Sequence, residues 1–171
     1  MIASRQVFVG ALGFLALSLG LGLVNPAWAR DLQGRLGVGY NSEFANSVVA
    51  SPLPGFSIKY ALSRDLALEA VVGSKTSSPT NTVTAAKLFK NLFLETNLNF
   101  YAALGGALVG ANSKTGAEFL GVLGAEFFIP GVESLGFSFE TGGSLHNLTN
   151  NSFSFRTLGV SFLDAGMHFY F

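Results

Sequence analysis

Eight segments of the sequence alternate apolar residues with small or polar ones, and this period of two most limits what the chain can fold into. The segment 56–62, for example, has an apolar residue at every even position and Ser, Lys or Ala between them. Clusters of Gly, Ser, Asn and Pro separate the segments. Such alternation is typical of β-strands with one apolar face. We therefore predict an all-β fold.

The connections between these segments alternate between short turns and longer polar loops. An even number of antiparallel strands with short turns at one end and longer loops at the other is typical of a transmembrane barrel. We predict an eight-stranded antiparallel up-and-down transmembrane β-barrel, preceded by a cleavable signal peptide. The predicted strands are 32–40, 56–62, 66–73, 82–93, 97–109, 119–127, 137–142 and 157–171.

Alternation alone does not say which face of the strands looks outward, and a secreted soluble barrel with an apolar ligand inside would alternate in the opposite sense. Only 12% of the residues are charged, about half the share that is usual in soluble domains. The less apolar face consists mainly of Gly, Ala and Ser with isolated charges, which suits the narrow interior of eight strands. We therefore expect the apolar face outside, toward lipid.

Aromatic residues collect where the predicted short turns are. A girdle of aromatic side chains marks each membrane interface of an outer-membrane barrel. The cluster therefore favours lipid outside the barrel. Its members are Phe93, Phe100, Phe127, Phe137, Phe139, Phe169 and Phe171.

Seven charged residues fall on the face that we assign to the interior. Because an unpaired charge away from water is costly, we expect them to form ion pairs. Arg35 and Asp164 are expected to pair because the first and last strands become neighbours when the barrel closes, and Lys59 and Glu69 because their strands are adjacent. A proton or ion path along these groups is the alternative. The seven residues are Arg35, Lys59, Glu69, Lys87, Glu126, Glu140 and Asp164.

The first 29 residues have the pattern of a secretory signal peptide. Arg5 precedes an apolar run from residue 7 to 24, and Asn25-Pro26 ends that run. Ala27 and Ala29 then form a small-x-small cleavage pattern. We predict cleavage after Ala29, which leaves one barrel domain at 30–171. The alternative is that the long apolar run stays as a membrane-spanning helix.

The carboxyl end carries the pattern polar-x-Gly-x-x-aromatic-x-aromatic, formed by Asp164, Gly166, Phe169 and Phe171. It resembles the terminal assembly signal of bacterial outer-membrane proteins. With the eight alternating segments, the chain resembles the small outer-membrane barrels of the OmpA transmembrane-domain or OmpX kind. The resemblance implies escort by periplasmic chaperones, insertion by the barrel-assembly machinery, and a place among lipids and lipopolysaccharide of the bacterial outer membrane. We expect a structural or surface-interaction role, without an open pore because side chains fill the interior of eight strands. We also expect a monomer.

Several functions find no support in the sequence. The chain has no Cys, two His and a formal net charge of zero, so we expect no metal or cofactor and no nucleic-acid partner. Some eight-stranded barrels, of the PagL kind, remove acyl chains from lipid A with a Ser, a His and a carboxylate. Ser144, His146 and Glu140 share one face of a strand, but Glu140 and His146 lie ~20 Å apart along it. A carboxylate from another strand would be needed, so we expect no enzyme.

Overall fold

The computed structural model describes residues 31–42, 55–76, 78, 80–111, 114–147, 153–157 and 164–171. The predicted signal peptide at 1–29, with Ala27 and Ala29, lies outside the described residues, as does most of the first long loop. The described part of the chain consists of strands and their connections. It contains no helix long and apolar enough to cross a membrane.

In the described part of the chain, nine strands form one antiparallel sheet that closes on itself. Around the barrel the order is β1, β2, β3, β4, β5, β6, β7 and β9, and β9 pairs with β1 to complete the circle. The predicted closed eight-stranded antiparallel barrel is therefore confirmed. The strands are β1 (Leu36–Asn41), β2 (Gly55–Ala61), β3 (Leu66–Lys75), β4 (Asn81–Glu95), β5 (Leu98–Ala111), β6 (Lys114–Ile129), β7 (Val132–Asn147), β8 (Ser154–Thr157) and β9 (Asp164–Tyr170).

The eighth position of the barrel is shared by two strands. β9 pairs with β7 between Leu135 and Glu140, and β8 pairs with the part of β7 between Gly143 and His146. The two strands therefore follow one another along the same edge of β7. The sequence predicted one strand at 157–171, whereas the structure has two strands here, and pairing begins earlier than predicted, at Ser154.

Strands β4 to β7 are longer than the alternation indicated, with 15, 14, 16 and 16 residues. Because β5 ends at Ala111 and β6 begins at Lys114, the connection expected to be a loop of several residues is a two-residue hairpin. At the other end of the barrel, Gly131 adopts a φ of 86° in the turn between β6 and β7, a conformation that favours glycine.

The irregular pattern of the fourth segment has a structural cause. Asn91 pairs with Tyr101 and Phe93 pairs with Phe100, so that Leu92 has no partner in the ladder. This is a β-bulge, which places one extra residue in β4 and shifts the alternation by one position. Leu92 and Phe93 are consequently both exposed.

The two faces of the sheet are divided as the alternation predicts. In β2, Phe56, Ile58 and Tyr60 are exposed, whereas Ser57 and Lys59 are buried. The predicted aromatic girdle lies on the outer surface, with Phe93 and Phe171 its most exposed members at 68% and 72%. The interior combines small apolar residues, large rings such as Tyr101 and Phe128, and buried charges.

Candidate functional site: the polar interior of the barrel

Glu126 is the centre of one buried network. Lys59 Nζ donates a hydrogen bond to its Oε2 at 2.9 Å, and the Tyr170 hydroxyl donates to its Oε1 at 2.5 Å. Both carboxylate oxygens are therefore satisfied. Lys59 also lies 4.3 Å from the ring centroid of Phe89 and 5.3 Å from that of Tyr101, within the range of a cation–π contact.

Glu140 is the centre of a second network with the same design. Lys87 Nζ donates to its Oε2 at 2.6 Å, and the Tyr101 hydroxyl donates to its Oε1 at 2.5 Å. Lys87 lies 4.8 Å from the ring centroid of Phe89. In each network one lysine and one tyrosine bind one glutamate, and the ring of Phe89 contacts both lysines.

Glu69 connects the second network to the last strand. Its Oε2 lies 4.0 Å from Lys87 Nζ, and its Oε1 lies 3.2 Å from Nε2 of His168. The hydroxyl of Ser57 lies 2.6 Å from the same ring nitrogen. Nδ1 of His168 is buried without a hydrogen-bond partner among the described residues. The centre of the barrel thus places two lysines and a histidine against three glutamates.

Lys59 and Glu69 occupy opposite positions of the β2–β3 ladder, as expected, but they do not form the predicted pair. The lysine reaches across the barrel to Glu126 of β6 instead. A narrow interior explains this result, because side chains that point inward from non-adjacent strands meet near the axis. The principal ion pairs therefore join opposite walls of the barrel.

The predicted pair between Arg35 and Asp164 is wrong. Arg35 precedes β1, and the carbonyl of Leu36 accepts a hydrogen bond from the backbone N–H of Phe171, which places Arg35 at the carboxyl end of β9. Asp164 is at the amino end of β9, a strand of 7 residues, and so lies roughly 20 Å away. β1 and β9 are indeed neighbours, but they are antiparallel and bring the two charges to opposite ends.

Asp164 is buried and interacts with its immediate surroundings. Its carboxylate accepts hydrogen bonds from the hydroxyl of Ser42 and from the backbone N–H of Ala165. Arg35 is half-buried in the connection before β1. The other six charges predicted to face the interior are buried there, namely Lys59, Glu69, Lys87, Glu126, Glu140 and Asp164.

Sequence reasoning missed a further, partly buried ion pair at the end of the barrel that carries the longer loops. Nη2 of Arg156 lies 3.4 Å from Oε1 of Glu118, and Nε of the same arginine donates to the Ser144 hydroxyl at 3.3 Å. Glu118 was overlooked because the sixth strand was predicted to begin at residue 119. Extending the alternation of Glu126 backwards in steps of two would have placed Glu118 inside.

The residues considered for a hydrolytic triad do not form one. Glu118 supplies a carboxylate directly opposite His146 in the β6–β7 ladder, but that carboxylate binds Arg156. The Ser144 hydroxyl is buried and accepts a hydrogen bond from Arg156, whereas Nδ1 of His146 has no hydrogen-bond partner among the described residues. A nucleophile, base and orienting acid in hydrogen-bond sequence are therefore not assembled.

The four positions that resemble an assembly signal divide between the two faces of β9. Asp164 and Gly166 point inward and are buried, while Phe169 and Phe171 are 46% and 72% exposed on the outer surface. The rings of these two phenylalanines pack edge to face with centroids 5.1 Å apart. Together they form an aromatic edge at the end of the barrel.

The polar interior is suited to holding the strands in register. The described residues contain no group of three or more His, Cys, Asp or Glu side chains arranged to hold a metal ion. The carboxylates of Glu126 and Glu140 each bind a lysine and a tyrosine of this chain. Buried charge networks of this type require every member to be in place.

Comparison with known proteins gives a likeness of fold. No protein-family model matches the sequence, and no curated protein matches it. Among solved structures, the N-terminal β-barrel domain of Pseudomonas aeruginosa OprF superposes with a TM-score of 0.53 at 17% sequence identity. The superposition covers 81% of this chain and 98% of that domain. The expected resemblance to small outer-membrane barrels is thereby confirmed at the level of the fold: the chain has the closed eight-stranded architecture of that barrel domain.

Proposed function

We propose that this chain is an integral β-barrel protein of the bacterial outer membrane with a structural or surface-interaction role. The observation that carries the proposal is the inverted distribution of polarity. Phe56, Leu68 and Leu104 are examples of an outer surface rich in large apolar side chains, whereas Lys87, Glu69 and the other central charges are fully buried. A soluble domain exposes its charges and buries its apolar residues, so lipid is the solvent that matches this surface.

The dimensions of the strands support the same proposal. About 9–11 tilted residues cross the hydrocarbon layer of a membrane, and β4 to β7 have 14 to 16 residues each. β1 and β9 pair with each other and close the sheet. A closed sheet of this kind is one of the two structures that can span a bilayer.

The filled interior supports a barrel that does not conduct. Tyr101, Tyr170, Phe128 and Lys87 are among the largest fully buried side chains, and all point inward. The cross-barrel pairs from Lys59 to Glu126 and from Lys87 to Glu140 run through the space that an open pore would need. Eight strands enclose an interior that side chains just fill. The proposed role is therefore not that of an open pore or a free ion path.

The two alternatives have less support. A secreted soluble barrel that binds an apolar ligand requires an apolar interior, but this interior contains ionic networks around Glu126 and Glu140. A lipid A-modifying enzyme requires an exposed nucleophile, but Ser144 is 1% exposed and bonded to Arg156. The proposal accordingly assigns no catalytic reaction and no cofactor to the chain.

The proposal includes a route to the membrane. An amino-terminal signal peptide cleaved after Ala29 would direct export, and periplasmic chaperones and the barrel-assembly machinery would receive the chain. The aromatic edge formed by Phe169 and Phe171 is exposed and available for recognition. After insertion the monomeric barrel would contact outer-membrane lipids and lipopolysaccharide.

Fractionation of a Gram-negative host that expresses the chain tests the proposal. We expect the protein in the outer-membrane fraction, with a folded form that migrates differently from the boiled form on detergent gels. Recovery as a soluble periplasmic monomer would contradict it. For the enzyme alternative, we expect the same lipid A mass spectrum with the wild-type chain, with His146→Ala and with an empty vector; a new lipid A species that depends on His146 would establish catalysis.

A further inference from the structure

A groove lies on the outer surface of the four longest strands. Its volume is about 690 Å³ and it is open to the surroundings of the barrel. This size falls in the range of about 300–1,000 Å³ that is usual for small-molecule sites. The residues that line it come from β4, β5, β6 and β7, and its exposed side chains include Leu88, Leu104 and Leu123.

The groove arises because small and large residues alternate across neighbouring strands. Leu88, Leu104 and Gly121 are consecutive partners in one row of the ladder, and Lys90, Ala102, Leu123 and Thr141 are partners in the next. Leu104 and Leu123 are 72% and 60% exposed and form walls. Among the described residues, a Cβ added at Gly121 would meet a methyl carbon of Leu104 at 3.4 Å.

One end of the groove carries a lysine, Lys90, that is paired with an aspartate. Lys90 is the only charged side chain among the described residues that line it. Its Nζ lies 2.9 Å from the carboxylate of Asp65, in the short turn between β2 and β3, and both side chains are about half exposed. An ammonium group has three donors, so the bond to Asp65 leaves two for another acceptor. The stem of a lysine can follow an apolar wall while its head stays at a polar boundary.

We propose that this groove binds one acyl chain of an anionic phospholipid, with the headgroup phosphate at Lys90. The proposal rests on the proposed membrane location, in which the short turns mark one interface and therefore the layer of lipid phosphates. The two remaining donors of the Lys90 ammonium group match the acceptor oxygens of a phosphate, whereas a symmetric contact with a second copy of the chain would bring two such donors together with no acceptor between them. The walls of Leu88, Leu104 and Leu123 would contact the acyl chain.

Native mass spectrometry of the full-length protein, purified from membranes in detergent, tests the proposal with two probes. Dioleoyl phosphatidylglycerol supplies both chains and phosphate, and dioleoylglycerol supplies the same chains without phosphate. Gly121→Leu fills the groove, and its control is Ala70→Leu on the exposed face of β3, outside the groove. Lys90→Gln removes the cation, and its control is Lys114→Gln at the opposite end of the barrel. Gel migration confirms that each variant is folded.

We expect the wild-type protein to retain one phosphatidylglycerol in preference to dioleoylglycerol. Gly121→Leu should lower this occupancy about tenfold, and Lys90→Gln should lower it by a similar factor while leaving dioleoylglycerol binding unchanged. Both control variants should bind as the wild type does.

Equal adducts in the wild type, Gly121→Leu and Lys90→Gln would overturn the proposal, as would an equal loss in the control variants. A dimer that Gly121→Leu abolishes would identify a second copy as the occupant and would also overturn it. Fractionation separates this failure from failure of the proposed function: a protein that is found in the outer membrane but shows no selective adduct refutes the groove alone. A soluble protein refutes the membrane location.

Discussion

The contribution of the buried pair between Lys59 and Glu126 can be measured by a double-mutant cycle. Lys59→Met removes the cation and leaves an apolar side chain of similar length, and Glu126→Gln retains an acceptor for the Tyr170 hydroxyl. Each single substitution leaves one buried charge without its partner, because the two side chains are 5% and 2% exposed. We expect each to lower the free energy of unfolding by about 3–5 kcal/mol.

The separation of the charges sets the scale of the coupling. At 2.9 Å and an effective dielectric constant of about 20, the Coulomb attraction is about 6 kcal/mol before desolvation is subtracted. Desolvation removes much of this gain, and couplings between contacting groups are about 0.5–3 kcal/mol. The double variant should therefore be less destabilised than the sum of the single variants by about 2–3 kcal/mol.

The exposed pair between Lys90 and Asp65 provides a matched control. Its Nζ to Oδ2 distance is also 2.9 Å, but its side chains are 54% and 56% exposed. For the corresponding cycle with Lys90→Met and Asp65→Asn we expect a coupling of about 0–1 kcal/mol. The two cycles therefore compare ion pairs with the same N–O distance but different burial, so a difference between their coupling energies reflects burial.

The assay is urea unfolding of the folded barrel in detergent, followed by gel migration and circular dichroism. Tryptophan fluorescence is unsuitable because the single Trp of the sequence, Trp28, lies within the predicted signal peptide. Additive losses in the buried cycle would refute the assignment of a direct Lys59–Glu126 interaction. Equal couplings in both cycles would refute the idea that burial determines their strength.

Three further predictions follow from close contacts and exposed ends. Gly142→Ala should destabilise the barrel by about 1–3 kcal/mol, because its Cβ would lie 2.1 Å from the carbonyl oxygen of Gly121. The control is Gly106→Ala, whose Cβ would have its nearest atom at 3.6 Å. In the same urea assay this control should be neutral or stabilise the barrel by up to about 1 kcal/mol. Arg156→Ala should lower stability by about 1–3 kcal/mol because it leaves Glu118 buried and unpaired, and Glu118→Gln should recover part of that loss. Deletion of Phe171 should reduce the folded, heat-modifiable fraction in cells, whereas Asp164→Ala should assemble normally and lose about 1 kcal/mol in the urea assay.

The sequence was sufficient to predict the faces of the strands, because alternation is a local property. Ser57, Lys59 and Ala61 differ in chemistry, yet all three are buried since they share one parity in β2. The bulge at Leu92 shows where this reasoning ends. One extra residue turns each later side chain of the strand to the opposite face. Whether a strand contains a bulge depends on its partner strands as well as on its own sequence.

The partners of the buried charges were not predictable, because they depend on register and on the width of the barrel. Neighbouring strands suggested that Lys59 would bind Glu69, but the two occupy facing positions while their long side chains extend toward the axis. There Lys59 meets Glu126 from the opposite wall, and Tyr170 completes the site. Asp164 has a shorter side chain, and its carboxylate accepts a hydrogen bond from the nearby hydroxyl of Ser42.

The paired design of the interior explains how one chain can be apolar outside and still close in a single register. In the proposed membrane location, apolar contacts with lipid would be nearly the same in different registers, so the outer surface would discriminate weakly between them. A slip of one residue in β2 would turn Lys59 onto the apolar outer surface and leave Glu126 without its cation. A slip of two residues would retain the correct face but displace the ammonium group by roughly 7 Å along the strand, beyond hydrogen-bond reach of the same carboxylate. The networks around Glu126 and Glu140 each join walls that are not adjacent, so together they penalise both kinds of slip in the strands that supply them.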